Sequence, residues 1–137
     1  MVDLPSFHST RLSGWGSYPV EECDLYQPKN LEEIQEIIER APQDDLICRG
    51  NGRSYGDAAL NEKRGVLLPE GRNRVLRLDE ESGAIECQAS TSIAEILDYA
   101  LPRGFFLPIT PGTKHITLGG AIAADIHGKN HHRDGTI

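Results

Sequence analysis

The sequence lacks three features, and each absence argues against a class of protein. No apolar run approaches the roughly 20 residues that a membrane-spanning helix needs, so no transmembrane segment is expected. An excess of basic residues is missing: 21 acidic residues outnumber 14 basic ones, and the formal net charge is −7. This argues against nucleic acid as a partner because phosphate neutralisation requires a basic surface. The chain has only three cysteines, Cys23, Cys48 and Cys87. Their odd number and wide spacing predict buried, reduced thiols and no disulfide framework.

The two ends of the chain support further expectations. The start, MVDLPSFHST, has neither a basic segment nor an apolar one, so no signal peptide is predicted. We therefore expect a cytoplasmic protein, either free or attached peripherally to a membrane. The chain stops directly after its densest polar cluster, which suggests an N-terminal fragment of a longer protein. Its 137 residues are enough for a domain with its own core.

Two segments with a helical period predict amphipathic helices. The first covers residues 31–41, with Asn30 as its N-cap residue. The second covers residues 93–101, where Ser92 and Glu95 have the spacing of a capping box.

The remaining pattern predicts short strands and an α+β fold. Residues 1–19 contain several turn-forming residues and are interpreted as an irregular arm. The order of the elements indicates two small α+β lobes, about 15–68 and about 74–137, rather than one long βαβ series. The predicted strands are 22–27, 46–48, 65–68 and a hairpin of 75–79 with 84–89.

The stretch RGNGRSYGD, residues 49–57, has the composition of an anion-binding loop. Glycine accepts positive φ and lets a ligand approach the main chain, and consecutive amides can surround an anion. Arg49 and Arg53 could add charge and Ser54 a hydroxyl donor. The loop is neither a P-loop, which ends in Lys-Ser/Thr, nor a dinucleotide fingerprint, since Tyr55 replaces the third glycine. A glycine-rich surface turn without a ligand is the alternative interpretation.

A second cluster, TLGGAIAADIHG, covers residues 117–128. Its small side chains would let another backbone or a flat ring approach closely, whereas core packing would favour larger residues. A helix that begins near Thr117 would also direct free amides at an anion.

Three histidines follow or end this cluster: His127, His131 and His132. No carboxylate or thiolate stands at a recognised ligand spacing, so no metal site is expected. Lys129 lies between His127 and His131, and is either an ordinary surface lysine or a cation that faces a charged substrate.

Together, RGNGRSYGD and PGTKHITLGGAIAADIHGKNHH resemble the FAD-binding domain of the vanillyl-alcohol oxidase and p-cresol methylhydroxylase (PCMH) superfamily. Within it, the chain looks most like the decaprenylphosphoryl-ribose 2-oxidases. The likeness runs from TRLSGWGS to the last residue. It implies a two-lobed α+β domain with FAD lying extended between the lobes. This chain would be the N-terminal portion of that domain, and the substrate domain would be absent.

The resemblance implies roles for individual residues. Lys129 matches a lysine on the substrate side of the flavin. Arg53 stands where many members have the histidine that bonds covalently to flavin, so non-covalent FAD and an electron acceptor other than oxygen are implied. Ala124 replaces a cysteine of well-known members. The implied cofactor-binding residues are Arg49, Gly50, Asn51, Gly52, Arg53, Ser54, Tyr55, Gly56, Gly112, Thr113, Thr117, Gly119, Gly120, Ala123, Ala124, Ile126, His127 and Gly128.

The implied activity is FAD-dependent oxidation of a sugar hydroxyl to a keto sugar by hydride transfer, with a decaprenylphosphoryl-ribose-like substrate and an unidentified electron acceptor. The alternatives are a flavoenzyme acting on an alditol, an aldonolactone or a hydroxy acid, and a non-enzymatic interaction domain on the same scaffold. The 137-residue chain alone is expected to bind FAD weakly or not at all, to be inactive, and to self-associate through exposed sheet edges.

Overall fold

A computed structural model describes residues 6–42 and 45–137 of the chain. Residues 1–5 lie outside the described residues, and they belong to the stretch MVDLPSFHST, on which the prediction of no signal peptide rests. The chain divides into two compact units, Met1–Gly71 and Arg72–Ile137. Each unit combines strands and helices, so both are of the α+β type.

The first unit is built on a four-stranded sheet. Its strands are β1 (Phe7–Ser13), β2 (Val20–Tyr26), β3 (Leu46–Cys48) and β4 (Gly65–Leu67), in the spatial order β1-β2-β4-β3. β1 runs antiparallel to β2, whereas β2 and β3 both pair with β4 in parallel. The parallel pairing requires a crossover connection, which the helix α1 (Leu31–Arg40) provides between β2 and β3.

The irregular arm predicted for residues 1–19 is wrong over Phe7–Ser13, which form β1. The sequence FHSTRLS alternates poorly between apolar and polar residues. Its strand conformation is stabilised instead by pairing with β2, because all seven of its residues have a partner there. The local sequence does not show such pairing.

A small apolar core lies within this sheet. Cys23, Leu25 and Val66 are buried together, and Leu12 and Ile47 pack against them. The cysteine prediction is only partly right. All three thiols are free and Cys23 is buried, but Cys48 is exposed because it is the last residue of the edge strand β3.

The second unit begins with the predicted hairpin. β5 (Val75–Leu78) pairs antiparallel with β6 (Ile85–Cys87). The predicted helix follows as α2 (Ile93–Ala100), which buries Ile93, Ile96 and Ala100. A short 3₁₀ turn, Leu101–Arg103, then ends at Gly104 in the left-handed conformation. Two short helices complete the unit, α3 (Leu118–Ala123) and α4 (His131–Asp134).

The N-terminus of α2 is fixed by a complete capping box. The Ser92 hydroxyl accepts from the Glu95 amide at 3.2 Å, and the Ser92 amide donates to the Glu95 carboxylate at 2.7 Å. The Ser92 amide and the Ser92 hydroxyl both donate to this carboxylate, which holds the pKa of Glu95 below its usual range. Because Ser92 also bridges to Thr117, the cap anchors the segment that leads into α3.

We expect Ser92→Ala to lower the free energy of unfolding by about 1 kcal/mol, the usual effect of losing an N-cap hydroxyl. The stabilisation by Glu95 should be present at neutral pH and disappear as the pH falls through the lowered pKa of Glu95, since only the carboxylate accepts these bonds. Urea denaturation at neutral and acidic pH measures both effects. Asp98→Ala, on the exposed side of the same helix, is the control. Equal stabilities of the two variants would contradict the prediction.

Candidate functional site

The glycine-rich loop follows β3 in the first unit, and its backbone depends on two glycines. Gly52 and Gly56 have φ of +62° and +59°, a conformation that other residues adopt only with strain. A Cβ on Gly52 would collide with the Arg49 guanidinium, whose Cζ would be 2.9 Å away, whereas a Cβ on Gly56 would meet nothing within 4 Å. Gly52 is therefore required for conformation and space, and Gly56 for conformation alone.

The main-chain amides of residues 52–56 are available to a ligand. Among the residues that the structure describes, no protein group accepts a hydrogen bond from any of these five amides. The stretch does accept a backbone hydrogen bond, because the Trp15 amide donates to the Ser54 carbonyl at 2.9 Å. Arg53, Ser54 and Tyr55 are exposed beside these amides. A run of consecutive free amides is a typical anion-binding arrangement.

The two arginines of the loop differ in position. The Arg49 side chain is bonded to the protein backbone: its Nη1 donates to the Ala59 carbonyl at 3.0 Å and its Nη2 donates to the Ser13 carbonyl at 2.7 Å. Burial lowers the pKa of this guanidinium. Arg53 is exposed and lies over the Trp15 ring, 5.2 Å from its centroid. A ligand can therefore contact the guanidinium of Arg53 directly.

The helix α3 does begin as predicted, with Thr117 as its N-cap, but the prediction of free amides there is wrong. The amide of Leu118 donates to the Thr91 carbonyl at 2.7 Å, and that of Gly119 to the Ala89 carbonyl at 2.8 Å. The Gly120 amide donates to the Thr117 hydroxyl. The segment that precedes α2 therefore covers the start of α3 and uses the amides that an anion would need.

The small residues of α3 serve two different purposes. A Cβ on Gly119 would lie 3.1 Å from the Cβ of Ala89, so this glycine allows close packing within the unit. Gly120, Ala123 and Ala124 are exposed, and Ile122 between them is 60% exposed. A bare, weakly polar surface is left on this side of the helix.

An open cleft of about 580 Å³ lies in the second unit, between residues 110–112 and residues 127–131. Its two walls touch at Gly128, where a Cβ would lie 2.7 Å from the Thr110 carbonyl oxygen. Asn130 joins them further, since its amide group donates to the Pro108 carbonyl at 2.9 Å and to Asp134 at 2.7 Å. The partner of Asn130 lies 22 residues away, so the neighbouring sequence does not reveal this role.

The three histidines form a row of tilted rings beside this cleft. The ring centroids of His127 and His131 are 4.6 Å apart, and those of His131 and His132 are 3.9 Å apart. The Nδ1 atoms of His127 and His131 both face the Gly128 carbonyl, which assigns the proton to Nδ1 in each ring. Within residues 6–42 and 45–137, no group of three or more potential ligands is arranged to hold a metal ion.

The predicted site residues fall into three groups. Residues 49–56 form the loop of the first unit. In the second unit, the cleft brings together Gly112, His127, Gly128 and Lys129. Thr117, Gly119, Gly120, Ala123 and Ala124 lie at or on α3. Two further predicted residues belong to none of these groups. The Thr113 hydroxyl accepts from the His115 amide, and Ile126 pairs with Ala121 and Ile137 through its backbone.

Comparison with known proteins identifies the domain. The FAD binding domain family matches residues 25–137. The chain is 37% identical over 130 residues to decaprenylphosphoryl-beta-D-ribose oxidase of Mycolicibacterium smegmatis, covering 93% of this chain and 28% of the relative. It is 28% identical over 105 residues to L-gulonolactone oxidase of Bos taurus, covering 74% of this chain and 23% of the relative.

Solved structures with the same fold include an alkyldihydroxyacetonephosphate synthase, with a TM-score of 0.69 and 21% identity over 85% of this chain and 23% of that one. A cholesterol oxidase from Brevibacterium sterolicum gives a TM-score of 0.67 and 16% identity over 90% of this chain and 25% of that one. At these identities the likeness shows the fold alone.

The chain therefore belongs to the FAD-binding domain family of PCMH type, its cofactor is FAD, and the resemblance is confirmed. The chain spans about a quarter of the length of the relatives that it matches. The free amides and positive-φ glycines of residues 52–56 suit the diphosphate of FAD. No helix in the described part of the chain is long and apolar enough to cross a membrane.

We expect Gly52→Ala to weaken FAD binding more than Gly56→Ala does, because only the first change adds a collision with Arg49 to the backbone strain. The strain alone is worth about 1–2 kcal/mol of stability. Flavin fluorescence titration of the complete gene product measures binding, and urea denaturation measures stability. Equal losses of FAD affinity in the two variants would show that the contact between Gly52 and Arg49 is irrelevant to binding.

Proposed function

We propose that this chain is the part of a flavoenzyme that holds FAD non-covalently for the oxidation of a sugar CH–OH group to a ketone. The substrate is a lipid-linked, decaprenylphosphoryl-ribose-like sugar. The observation that carries the proposal is the run of five free amides at residues 52–56. The similarity to decaprenylphosphoryl-beta-D-ribose oxidase supports the choice of substrate.

The loop accounts for cofactor binding. Its free amides hold the diphosphate, the exposed Arg53 adds a positive charge, and the Ser54 hydroxyl adds a donor. Arginine cannot form the covalent link that histidine makes at this position in many members of the superfamily, so the flavin is held by non-covalent contacts. When bound, FAD supplies the two-electron acceptor for the hydride of the substrate.

The cleft accounts for substrate orientation. Lys129 is exposed on its lining, and it forms no ion pair within the described parts of the chain. Its ammonium group is therefore available to orient the substrate hydroxyl or to stabilise negative charge that develops on its oxygen. Asn130 and Gly128 keep the two walls of the cleft together around this lysine.

A second candidate keeps the cofactor and changes the substrate. Similarity to L-gulonolactone oxidase and to D-2-hydroxyglutarate dehydrogenase of Rattus norvegicus favours an aldonolactone or a hydroxy acid. In both candidates the chain performs the same task of holding FAD.

The complete gene product should be yellow, and acid precipitation should release all of its flavin into the supernatant. The release follows from Arg53, which cannot bond covalently to the ring. Absorbance of the supernatant and pellet measures this outcome. Anaerobic addition of a polyprenyl-phosphoryl pentose should bleach the flavin band, whereas an aldonolactone or a 2-hydroxy acid should not.

Flavin that remains in the pellet would contradict non-covalent binding. Bleaching by the lactone or hydroxy acid alone would favour the second candidate. A colourless protein that cannot be loaded with FAD would contradict the proposed function as a whole.

We expect Lys129→Met to lower kcat/KM by about 10²-fold, the usual effect of removing one group that stabilises charge in the transition state. Flavin content should not change, because the lysine acts on the substrate side. Steady-state kinetics with matched flavin loading provides the measurement. Lys114→Met, another exposed lysine of the same unit but outside the cleft, is the control and should keep full activity. A K129M enzyme as active as K114M would remove Lys129 from the site.

A further inference from the structure

We propose that Arg49 is a positioning residue for the diphosphate site. Its guanidinium lies against the backbone at Gly52, where it fixes the positions of the amides of residues 52–56 and contributes positive charge to the site. The proposal rests on the proposed function, since the anion is the diphosphate of FAD. It differs from the sequence-based expectation, in which Arg49 adds its charge to the ligand from the loop itself.

The first support is the pair of hydrogen bonds that Arg49 makes. Its two terminal nitrogens reach carbonyl oxygens on either side of the loop, Ser13 at the end of β1 and Ala59 in the turn after the loop. The Arg49 amide in turn donates to Leu67 of β4 at 2.9 Å. A planar, rigid guanidinium that spans two acceptors fixes their separation. Arg49 thus ties the loop to the sheet at both ends.

The second support is the charge itself. Arg49 forms no ion pair with a carboxylate among the described residues, and its side chain is partly removed from water. Arginine nevertheless remains protonated at neutral pH. A partly buried cation without a counter-charge is screened less than an exposed one, so it attracts an anion more strongly.

The third support is the contact between Arg49 and a loop residue that has no side chain. Gly52 lies directly against the guanidinium, and the amides of residues 52–56 have no protein acceptor in the described chain. Only glycine lets the cation come this close to the backbone that would hold the anion.

The turn between β1 and β2 completes the support. A Cβ on Gly14 would lie 2.5 Å from the Ser54 carbonyl oxygen and 2.9 Å from the Gly56 carbonyl oxygen. The Trp15 amide donates a hydrogen bond to the Ser54 carbonyl. This turn lies before residue 25, where the family match begins. The diphosphate loop is therefore supported by a segment outside the matched residues.

The test compares three variants of the complete gene product: Arg49→Met, Arg49→Lys and Arg11→Met. Each is titrated with FAD and with riboflavin, which has no phosphate, over a range of salt concentrations. Arg11 is the matched control because it is an exposed arginine of β1, the strand whose last residue, Ser13, accepts from Arg49. Thermal unfolding confirms that each variant is folded.

R49M should bind FAD about tenfold or more weakly, in keeping with the loss of hydrogen bonds from a charged donor. Its FAD affinity should also depend less on salt, because one charge has been removed, while riboflavin binding should be unchanged. R49K keeps the charge but cannot span both carbonyls, so it should bind FAD with intermediate affinity and the salt dependence of the wild type. R11M should behave as the wild type.

Two results would overturn the role of Arg49 and leave FAD binding intact. One is an R49M protein with the FAD affinity and salt dependence of R11M. The other is an equal loss of FAD and riboflavin affinity, which would indicate general structural support only. If R49M does not fold, an R49K protein with wild-type FAD affinity would overturn the proposal. Failure of the wild type to bind FAD would instead refute the proposed function from which it starts.

Discussion

The contact between the Arg49 guanidinium and the bare backbone at Gly52 is the constraint on which the candidate site depends. The Arg49 guanidinium is bonded to two carbonyl oxygens, and the Ser54 carbonyl accepts from the Trp15 amide. Within the described residues, the five amides of residues 52–56 have no protein acceptor. Consecutive amides without an acceptor in the described chain give this exposed stretch a positive potential, to which the exposed Arg53 adds its charge.

The two glycine-rich clusters look alike in the sequence but use glycine for different physical reasons. In the loop, positive φ and contact with a guanidinium require it at Gly52. On α3, Gly119 makes room for Ala89 of the same unit, and its amide already has an acceptor. Counting hydrogen-bond partners therefore separates an available anion site from a packed helix start, whereas counting glycines does not.

Features determined by neighbouring residues were predictable from the sequence. The cap of α2 is an example, since Ser92 and Glu95 are three residues apart and need no other partner. Features determined by distant partners were not. The coverage of α3 depends on Ala89 and Thr91, far back in the chain, and β1 exists because it pairs with β2. The orientation of the Arg49 side chain depends on Ser13, 36 residues away. The residues next to Arg49 in the sequence indicate a ligand-binding arginine and do not reveal this contact.

Because FAD is proposed to be held without a covalent bond, this support of the loop is important for function. A flavin that is not bonded to the protein is retained only by the surplus of contact energy over the loss of its own freedom and the ordering of its site. A flexible glycine loop would lose much conformational entropy on binding, because glycine has the most to lose. Arg49, Gly14 and Trp15 restrict the loop from the protein side before any ligand arrives. The conformational entropy of the loop is then lost during folding and not when FAD binds. The free amides can therefore contribute most of their interaction energy to retaining FAD.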